Sequence, residues 1–296
     1  MTSIIAIGAS FFMWLSGGRI LDGPIPKEES GYFSYDVCHQ NPTTYCRDLL
    51  PGHREVAATW FLSPERIAAE TLIVPSALGV VLLLLIPSLP VSKSTSPDPP
   101  SLPIRFLSLI CVCIQVFYKI SGYANKLAFM VMPCNMLWTV SLLATLIPAA
   151  RDTLVQCMYS LQILVWVVFV ISDTSDLKMP FEIQFFWINH VLLVLVPFYY
   201  LFTSKVPAKL CVLDFLKWWL LSCSVTGIFY FGFVTPLAVL TRLNLNYMLS
   251  PPPTGGSENF RLESMALMAL GFFISRLITV GIYQVVLIAK KKVKQQ

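Results

Sequence analysis

The chain has 296 residues, of which 56% are hydrophobic and only 12% are charged. This composition excludes an ordinary soluble domain and is typical of polytopic membrane proteins. The net charge of +5 includes the lysines of the last seven residues, so it gives no indication of nucleic-acid binding. We predict an all-α fold, a membrane helical bundle with about seven transmembrane helices.

Residues 1–66 are predicted to be an N-terminal interfacial and lumenal segment. Residues 3–16 are apolar but too short to span comfortably, and no basic residue precedes them, so we expect an interfacial anchor. An eighth spanning helix is the alternative. Residues 19–66 are polar and proline-rich, as expected of a lumenal cap. Cys38 and Cys46 in this cap would be able to pair as a disulfide, which spacing alone does not decide.

Residues 67–289 are predicted to be the transmembrane domain. Seven apolar segments lie in it, each long enough at 1.5 Å per residue to cross a hydrocarbon core of about 30 Å. Their bounds are about 67–89, 104–122, 127–148, 153–172, 182–202, 212–239 and 263–289. The sequence indicates no repeat-related broken helices among them.

Lysine and arginine residues cluster at alternate ends of these spans, which predicts the orientation. One side collects Lys93, Arg105, Arg151, Lys205, Lys209, Lys217, Lys290, Lys291, Lys292 and Lys294. The C-terminus is therefore expected in the cytosol, with residues 290–296 as a basic tail, and the N-terminus in the lumen. Lys292 and Lys294 fit the dilysine pattern that retrieves membrane proteins to the endoplasmic reticulum. The alternative is a tail that binds anionic lipid headgroups.

A thiol and an imidazole are the candidate catalytic groups. Cys134 lies eight residues after Lys126 at the start of the third span, and His190 lies eight residues after Glu182 at the start of the fifth. Both are therefore expected about 12 Å from the same membrane face. An imidazole can take the proton of a buried thiol, and the thiolate can then attack an ester and hold the acyl group as a thioester. The alternative is that both residues only pack.

Other polar residues near these spans are candidates for supporting roles. Asn135 and Asn189 would donate to an oxyanion, or would bridge helices. Glu182 shares a broad helix face with His190. Neither a metal site nor a cofactor is predicted.

Basic residues near the lumenal surface are candidates for lipid binding. Lys119, Lys126 and Arg242 would hold a lipid phosphate, or would extend along apolar surface to the interface. Arg276 lies in the middle of a span, so it is expected to pair with a carboxylate or with carbonyl groups.

Several short motifs resemble those of the transmembrane protein 164 family. They are Pro133-Cys134, the run Met179-Pro180-Phe181-Glu182-Ile183 leading to Asn189-His190, and the loop Leu243-Asn244-Leu245-Asn246. The resemblance covers residues from about 56 to 250. The family pattern Asn-Pro-Cys-His differs here, because the chain has Met132-Pro133-Cys134-Asn135, and this leaves donor selectivity open.

The resemblance implies an acyltransferase of the endoplasmic reticulum. Such an enzyme would move a polyunsaturated acyl chain from a diacyl phospholipid, such as phosphatidylcholine, to a lyso ether phospholipid. The resemblance also implies that Cys134 carries the acyl group and that His190 is the membrane histidine of the family.

Two further classes of function stay open, a lipid hydrolase and a non-enzyme, which would be a transporter or a seven-helix receptor. A lipid hydrolase would use the same groups with water as acceptor. A transporter would more usually show repeat-related broken helices. A seven-helix receptor is disfavoured, because the third span lacks an Asp-Arg-Tyr-like triplet and the seventh lacks Asn-Pro-x-x-Tyr.

The predicted orientation is tested by engineered N-glycosylation sites. A site placed near Thr43 should be glycosylated in microsomes, and a site placed after Gln296 should not, because the enzyme that attaches N-linked glycans acts only on lumenal sites. A mobility shift on gels measures both. Glycosylation of the C-terminal site would contradict the orientation.

Overall fold

The computed structural model describes residues 2–15, 62–90, 102–121, 126–172, 174, 177, 179–203, 206, 208, 211–241, 245–249 and 257–294. Within those ranges every regular element is helical, which confirms the all-α prediction. Cys38, Cys46, Arg242 and most of the predicted N-terminal segment lie outside the described residues.

Ten α-helices form the described part of the chain, joined in places by short 3-10 segments. A π-helical stretch, Phe229–Val234, connects the helix Val212–Ile228 to the helix Thr235–Thr241. The helices are α1 Thr2–Leu15, α2 Pro64–Leu85, α3 Leu102–Ser121, α4 Pro133–Leu146, α5 Arg151–Leu161, α6 Ile163–Trp166, α7 Glu182–Phe202, α8 Val212–Ile228, α9 Thr235–Thr241 and α10 Phe260–Lys294.

Five helical stretches among the described residues are long and apolar enough to cross a membrane, and a bent pair raises the number to six. The predicted count of about seven is therefore not confirmed. The five are Pro64–Ser88, Leu102–Ser121, Glu182–Phe202, Val212–Thr241 and Phe260–Lys292. Helix α1 has 14 residues and is shorter than a span, as the sequence predicts for an interfacial anchor.

The difference lies in the predicted third and fourth spans. Helix α4 has 14 residues, a length of about 21 Å, which is less than the hydrocarbon core requires. It meets the helical stretch Pro148–Leu161 at a bend of 118°. Pro148 causes this break, because the residue before a proline avoids the helical region, and Ile147 has φ −115° and ψ 88°. The pair is a broken span or a re-entrant loop, which the sequence did not indicate.

The chain divides into two compact units. The first comprises Met1–Leu82, Lys119–Met132 and Ser224–Ala266, and the second comprises Leu83–Tyr118, Pro133–Cys223 and Leu267–Gln296. Helix α2 of the first unit begins where the Ser63 hydroxyl accepts a hydrogen bond from the backbone N–H of Arg66 at 3.3 Å. Serine before the first turn and proline at its first position are the usual signals of a helix start.

A buried ion pair links α2 to α10 in the first unit. The Arg261 side chain is 1% exposed and its Nη1 lies 3.1 Å from Glu70 Oε2. Arg261 Nη2 also donates to the Thr235 hydroxyl at 2.9 Å, and that hydroxyl donates to the Tyr230 carbonyl of the π-helical stretch at 3.0 Å. Arg66 Nε holds the other oxygen of Glu70 at 3.0 Å. The buried cation is thus compensated by a carboxylate on another helix.

In the second unit, α10 is tied to α5 by polar groups. Arg276 is fully buried and donates to the Gln156 carbonyl at 3.0 Å and to Gln156 Oε1 at 2.7 Å. Ser275 donates to the Tyr159 carbonyl at 2.9 Å. The prediction that Arg276 pairs with carbonyl groups is confirmed. These bonds fix the second half of the bent pair against a long helix.

Removing one partner of the buried ion pair should destabilise the protein. Glu70→Gln should lower the free energy of unfolding by about 3–5 kcal/mol, because Arg261 is left as an uncompensated buried charge. The double variant Glu70→Gln with Arg261→Met should recover most of the loss. Denaturant unfolding in detergent measures both.

The control is Glu258→Gln, since Glu258 is 63% exposed and 3.9 Å from Arg66 Nη1. Glu258→Gln should lower the free energy of unfolding by less than about 1 kcal/mol, as for other surface ion pairs. Equal losses for Glu70→Gln and Glu258→Gln would contradict the account.

Candidate active site

Cys134 lies in the first turn of α4, one residue after Pro133 begins the helix. Proline suits the first helical position because the N–H that proline lacks would have no intrahelical acceptor at that position. A separate 3-10 segment, Lys126–Val131, precedes the helix. The expectation that Cys134 lies eight residues into one continuous helix is therefore wrong, and Pro133 was the signal for the true start.

His190 lies eight residues after the start of α7, as the sequence predicted. Helices α4 and α7 contact each other within the second unit. His190 is 1% exposed, and the Phe186 ring lies with its centroid 4.3 Å from that of the imidazole. The Phe169 ring meets it edge-on at 6.5 Å. The imidazole is thus enclosed by aromatic side chains.

The two ring nitrogens of His190 are in different situations. Nδ1 lies 2.7 Å from the Phe186 carbonyl oxygen, which can only accept, so Nδ1 carries the proton. In the neutral ring Nε2 then holds a lone pair. Nε2 is buried and has no hydrogen-bond partner among the described residues. The site therefore presents a base-competent nitrogen held in one tautomer.

The Cys134 thiol is half-buried and packs against the apolar core of the second unit. Its Sγ lies 3.8 Å from Asn135 Oδ1, so an acceptor faces the thiol. Since Nε2 of His190 is unpartnered in the described structure, the thiol and the imidazole are not hydrogen-bonded to each other in this state. Their pairing during a reaction stays a prediction.

Asn189 bridges two helices, as the alternative from the sequence proposed, but its partner Gln115 was not predicted. Gln115 on α3 donates from Nε2 to Asn189 Oδ1 at 3.1 Å, and both side chains are buried. Gln115 Oε1 has no partner among the described residues. A glutamine within an apolar span was the signal that would have found it, because such residues usually bond across helices.

Glu182 is buried at the start of α7. Its Oε2 accepts a hydrogen bond from the backbone N–H of Met179 at 3.1 Å. The carboxylate therefore closes the turn that leads into the helix carrying His190. A negative charge is also favourable at a helix N-terminus.

The described structure does not test whether the three lipid-binding candidates lie together. Lys119 belongs to the first unit, where its Nζ lies 5.9 Å from the centroid of the Phe129 ring. Lys126 starts the 3-10 segment, but its side chain and all of Arg242 lie outside the described residues. The second unit contains Cys134, Asn135, Glu182, Asn189 and His190.

The candidate site contains the thiol of Cys134, which is half-buried, and the imidazole of His190, which is buried. Within the described ranges, no group of three or more His, Cys, Asp or Glu residues is placed to hold a metal ion. Together these features define a multi-pass helical membrane protein with a thiol and an imidazole on two packed helices.

Comparison with known proteins places this chain. The sequence profile of the TMEM164 family matches residues 61–284, and the chain belongs to that family. The chain is similar to a transmembrane protein 164 homolog of Dictyostelium discoideum, with 27% identity over 204 residues, which are 67% of this chain and 71% of that protein. No solved structure matches the chain. The resemblance inferred from the short motifs is confirmed.

Breaking the bond between Gln115 and Asn189 should destabilise the second unit. Gln115→Leu should cost about 1–3 kcal/mol, because a buried amide oxygen is left without its donor. Combining it with Asn189→Leu should cost less than the sum of the two single changes. Unfolding in detergent gives all three values.

Gln184→Leu is the control, since Gln184 lies on the same helix as Asn189 but is exposed. Its effect should be within about 0.5 kcal/mol. Additive losses from Gln115→Leu and Asn189→Leu would show that the bond contributes nothing.

Proposed function

We propose that this protein is a lipid acyltransferase that carries the acyl group as a thioester on Cys134. The observation that carries the proposal is the state of His190, whose Nδ1 is held by the Phe186 carbonyl while the buried Nε2 has no partner in the described structure. An unpartnered buried atom is not distinctive by itself, because Ser160 Oγ and Tyr200 Oη also have no partner in the described structure. The distinguishing feature of His190 is its place on a helix that contacts α4. His190 offers a lone pair beside a helix that carries a thiol.

The position of the thiol also supports a reactive role. The first turn of a helix has unpaired backbone N–H groups and the positive end of the macrodipole. Cysteines at helix N-termini are accordingly among the reactive ones in proteins. Cys134 lies in such a turn and is only half-buried, so a lipid ester could reach it.

In the first half-reaction the thiol proton moves to His190 Nε2. The thiolate attacks the ester carbonyl carbon of a diacyl phospholipid, so a C–S bond forms and the carbonyl electron pair moves to oxygen. Collapse of this intermediate breaks the ester C–O bond. The leaving alkoxide takes the proton from the imidazolium, which releases a lysophospholipid and leaves the thioester.

In the second half-reaction the hydroxyl of a lyso ether phospholipid replaces the donor. His190 Nε2 takes its proton as the oxygen attacks the thioester carbonyl. A C–O bond forms, the C–S bond breaks, and the Cys134 thiolate recovers the proton. The thiol and Nε2 must approach each other when lipid binds, which is common because catalytic hydrogen bonds often tighten only with substrate present.

The proposal includes an endoplasmic-reticulum location with the N-terminus in the lumen and the C-terminus in the cytosol. The basic ending with Lys292 and Lys294 supports it, together with the asymmetry of lysine and arginine between the ends of the spans. Phospholipid donor and lysophospholipid acceptor are then both supplied by the surrounding bilayer.

Variants at the two groups test the mechanism. Purified protein is incubated with labelled phosphatidylcholine and a lyso ether phospholipid, and the labelled products are separated. Cys134→Ala should abolish acyl transfer, and His190→Ala should lower the rate about 10²–10⁴-fold, the usual contribution of a general base. Cys134→Ser should also be nearly inactive, because a hydroxyl needs stronger activation than a thiol.

Cys111→Ala is the control, because Cys111 is also a cysteine of the second unit but lies buried in α3. It should keep its activity. Release of free fatty acid instead of transfer would favour a hydrolase, and neither product would favour a transporter. Full transfer by Cys134→Ala would overturn the mechanism.

A further inference from the structure

Trp138 is a buried tryptophan whose indole N–H is not used by the described structure. Its side chain is fully buried, and Nε1 has no hydrogen-bond partner among the described residues. A buried tryptophan N–H usually finds a partner, because leaving a donor unpaired in an apolar interior is costly. The described residues of the chain therefore leave this donor unused.

The position of Trp138 connects this donor with the thiol. Trp138 follows Cys134 by four residues on α4, so the two side chains are neighbours on one face of the helix. Side chains on a helix lean toward its N-terminus and cover the preceding turn. From this helix geometry we expect the indole of Trp138 to lie beside the turn that contains Cys134.

Other tryptophans of the second unit show that position is the informative feature. Trp219 Nε1 donates to the Ala269 carbonyl at 2.7 Å. Trp218 is fully buried with an unpartnered Nε1, like Trp138, but it lies on α8, away from the helix of the thiol in sequence. An unused indole N–H is therefore not by itself a site. The unused donor at Trp138 shares a helix face with a thiol.

We propose that the Trp138 Nε1–H donates to the oxyanion formed when Cys134 attacks an acyl ester. This inference rests on the proposed function and names a further catalytic residue for it. As the C–S bond forms, the carbonyl electron pair becomes a lone pair on oxygen, and the indole donor bonds to that oxygen. When the intermediate collapses, the pair returns to the carbonyl and the ester C–O bond breaks, with the leaving group protonated by the His190 imidazolium.

The asparagines near the thiol are less suited to this role. The Asn135 atom that faces Cys134 Sγ is Oδ1, an acceptor, and an acceptor cannot stabilise an oxyanion. Asn189 Oδ1 accepts a hydrogen bond from Gln115 on α3, which fixes the orientation of that amide. Trp138 Nε1 and His190 Nε2 are instead complementary, because one is a buried donor without an acceptor and the other a buried acceptor without a donor. The carbonyl oxygen of the ester needs a donor, and the thiol proton needs an acceptor.

The test compares Trp138→Phe with Trp218→Phe in the labelled-lipid transfer assay on the full-length protein. Trp138→Phe should lower kcat about 10²-fold or more with little change in KM, because removal of one oxyanion donor has that effect on the chemical step. Trp218→Phe removes an equally buried and equally unpartnered N–H, so it should keep kcat within about twofold. Thermal unfolding of both variants reports any loss of packing.

A second variant separates the hydrogen bond from the volume of the indole. Benzothienylalanine incorporated at position 138 keeps the bicyclic shape but has sulfur in place of N–H, so it should be as slow as Trp138→Phe. A wild-type rate with this residue would overturn the inference, and any slowing by Trp138→Phe would then come from packing. If the wild-type protein transfers no acyl group at all, the proposed function fails first, whatever the Trp138 variants do.

Discussion

Polar groups in the interior of a membrane protein have no water to bond, and this constraint explains most of the polar contacts described here. Arg261 is paired with Glu70, Arg276 bonds the Gln156 carbonyl and amide, and Gln115 bonds Asn189. Each contact joins two helices that are far apart in sequence. The same costly groups that would destabilise an isolated helix therefore determine which helices pack together.

The proposed nucleophile lies at the start of a short helix. Pro133 starts α4 directly before Cys134, and Pro148 ends the run only a few turns later. Irregular backbone at membrane depth is tolerated where it is buried in protein or lines a cavity. The first turn of α4, at the end of that helix away from the bend, has backbone N–H groups without intrahelical partners and contains the proposed nucleophile. The proposed base, His190, lies instead within α7, a helix of 21 residues. The proposed nucleophile is therefore at the end of one helix and the proposed base in the interior of another.

Much of the architecture was predictable because long apolar segments have few alternatives in a membrane. The spans around His190 and Arg276 were predicted within a few residues, as was the bonding of Arg276 to carbonyl groups. The bend of 118° between α4 and the following helical stretch was not predicted. Two short apolar helices that form one broken span have the same hydropathy as two separate spans, so hydropathy does not distinguish them. The start of α4 at Pro133 was missed for a related reason, because the apolar run continues upstream through residues 127–132.

At the candidate site, the sequence indicated which side chains are candidates for the chemistry but not their hydrogen bonds. Cys134 and His190 were predicted as nucleophile and base from residue type, spacing and the resemblance to the TMEM164 family, and both roles stay predictions. The role of Gln115 depends on a contact between residues 74 positions apart, which no local pattern contains. The unused N–H of Trp138 likewise became visible only once burial and partners were known, since tryptophan in an apolar segment is most often a packing residue.

The central claim is that an acyl group resides covalently on Cys134 during turnover. Intact-mass measurement of the protein after exposure to a diacyl phospholipid, without acceptor, tests it most directly. The account predicts one acyl-sized mass increase that hydroxylamine removes and that peptide mapping assigns to Cys134. Steady transfer of label to the lyso acceptor with no adduct at Cys134, or with a stable adduct at another residue, would contradict it.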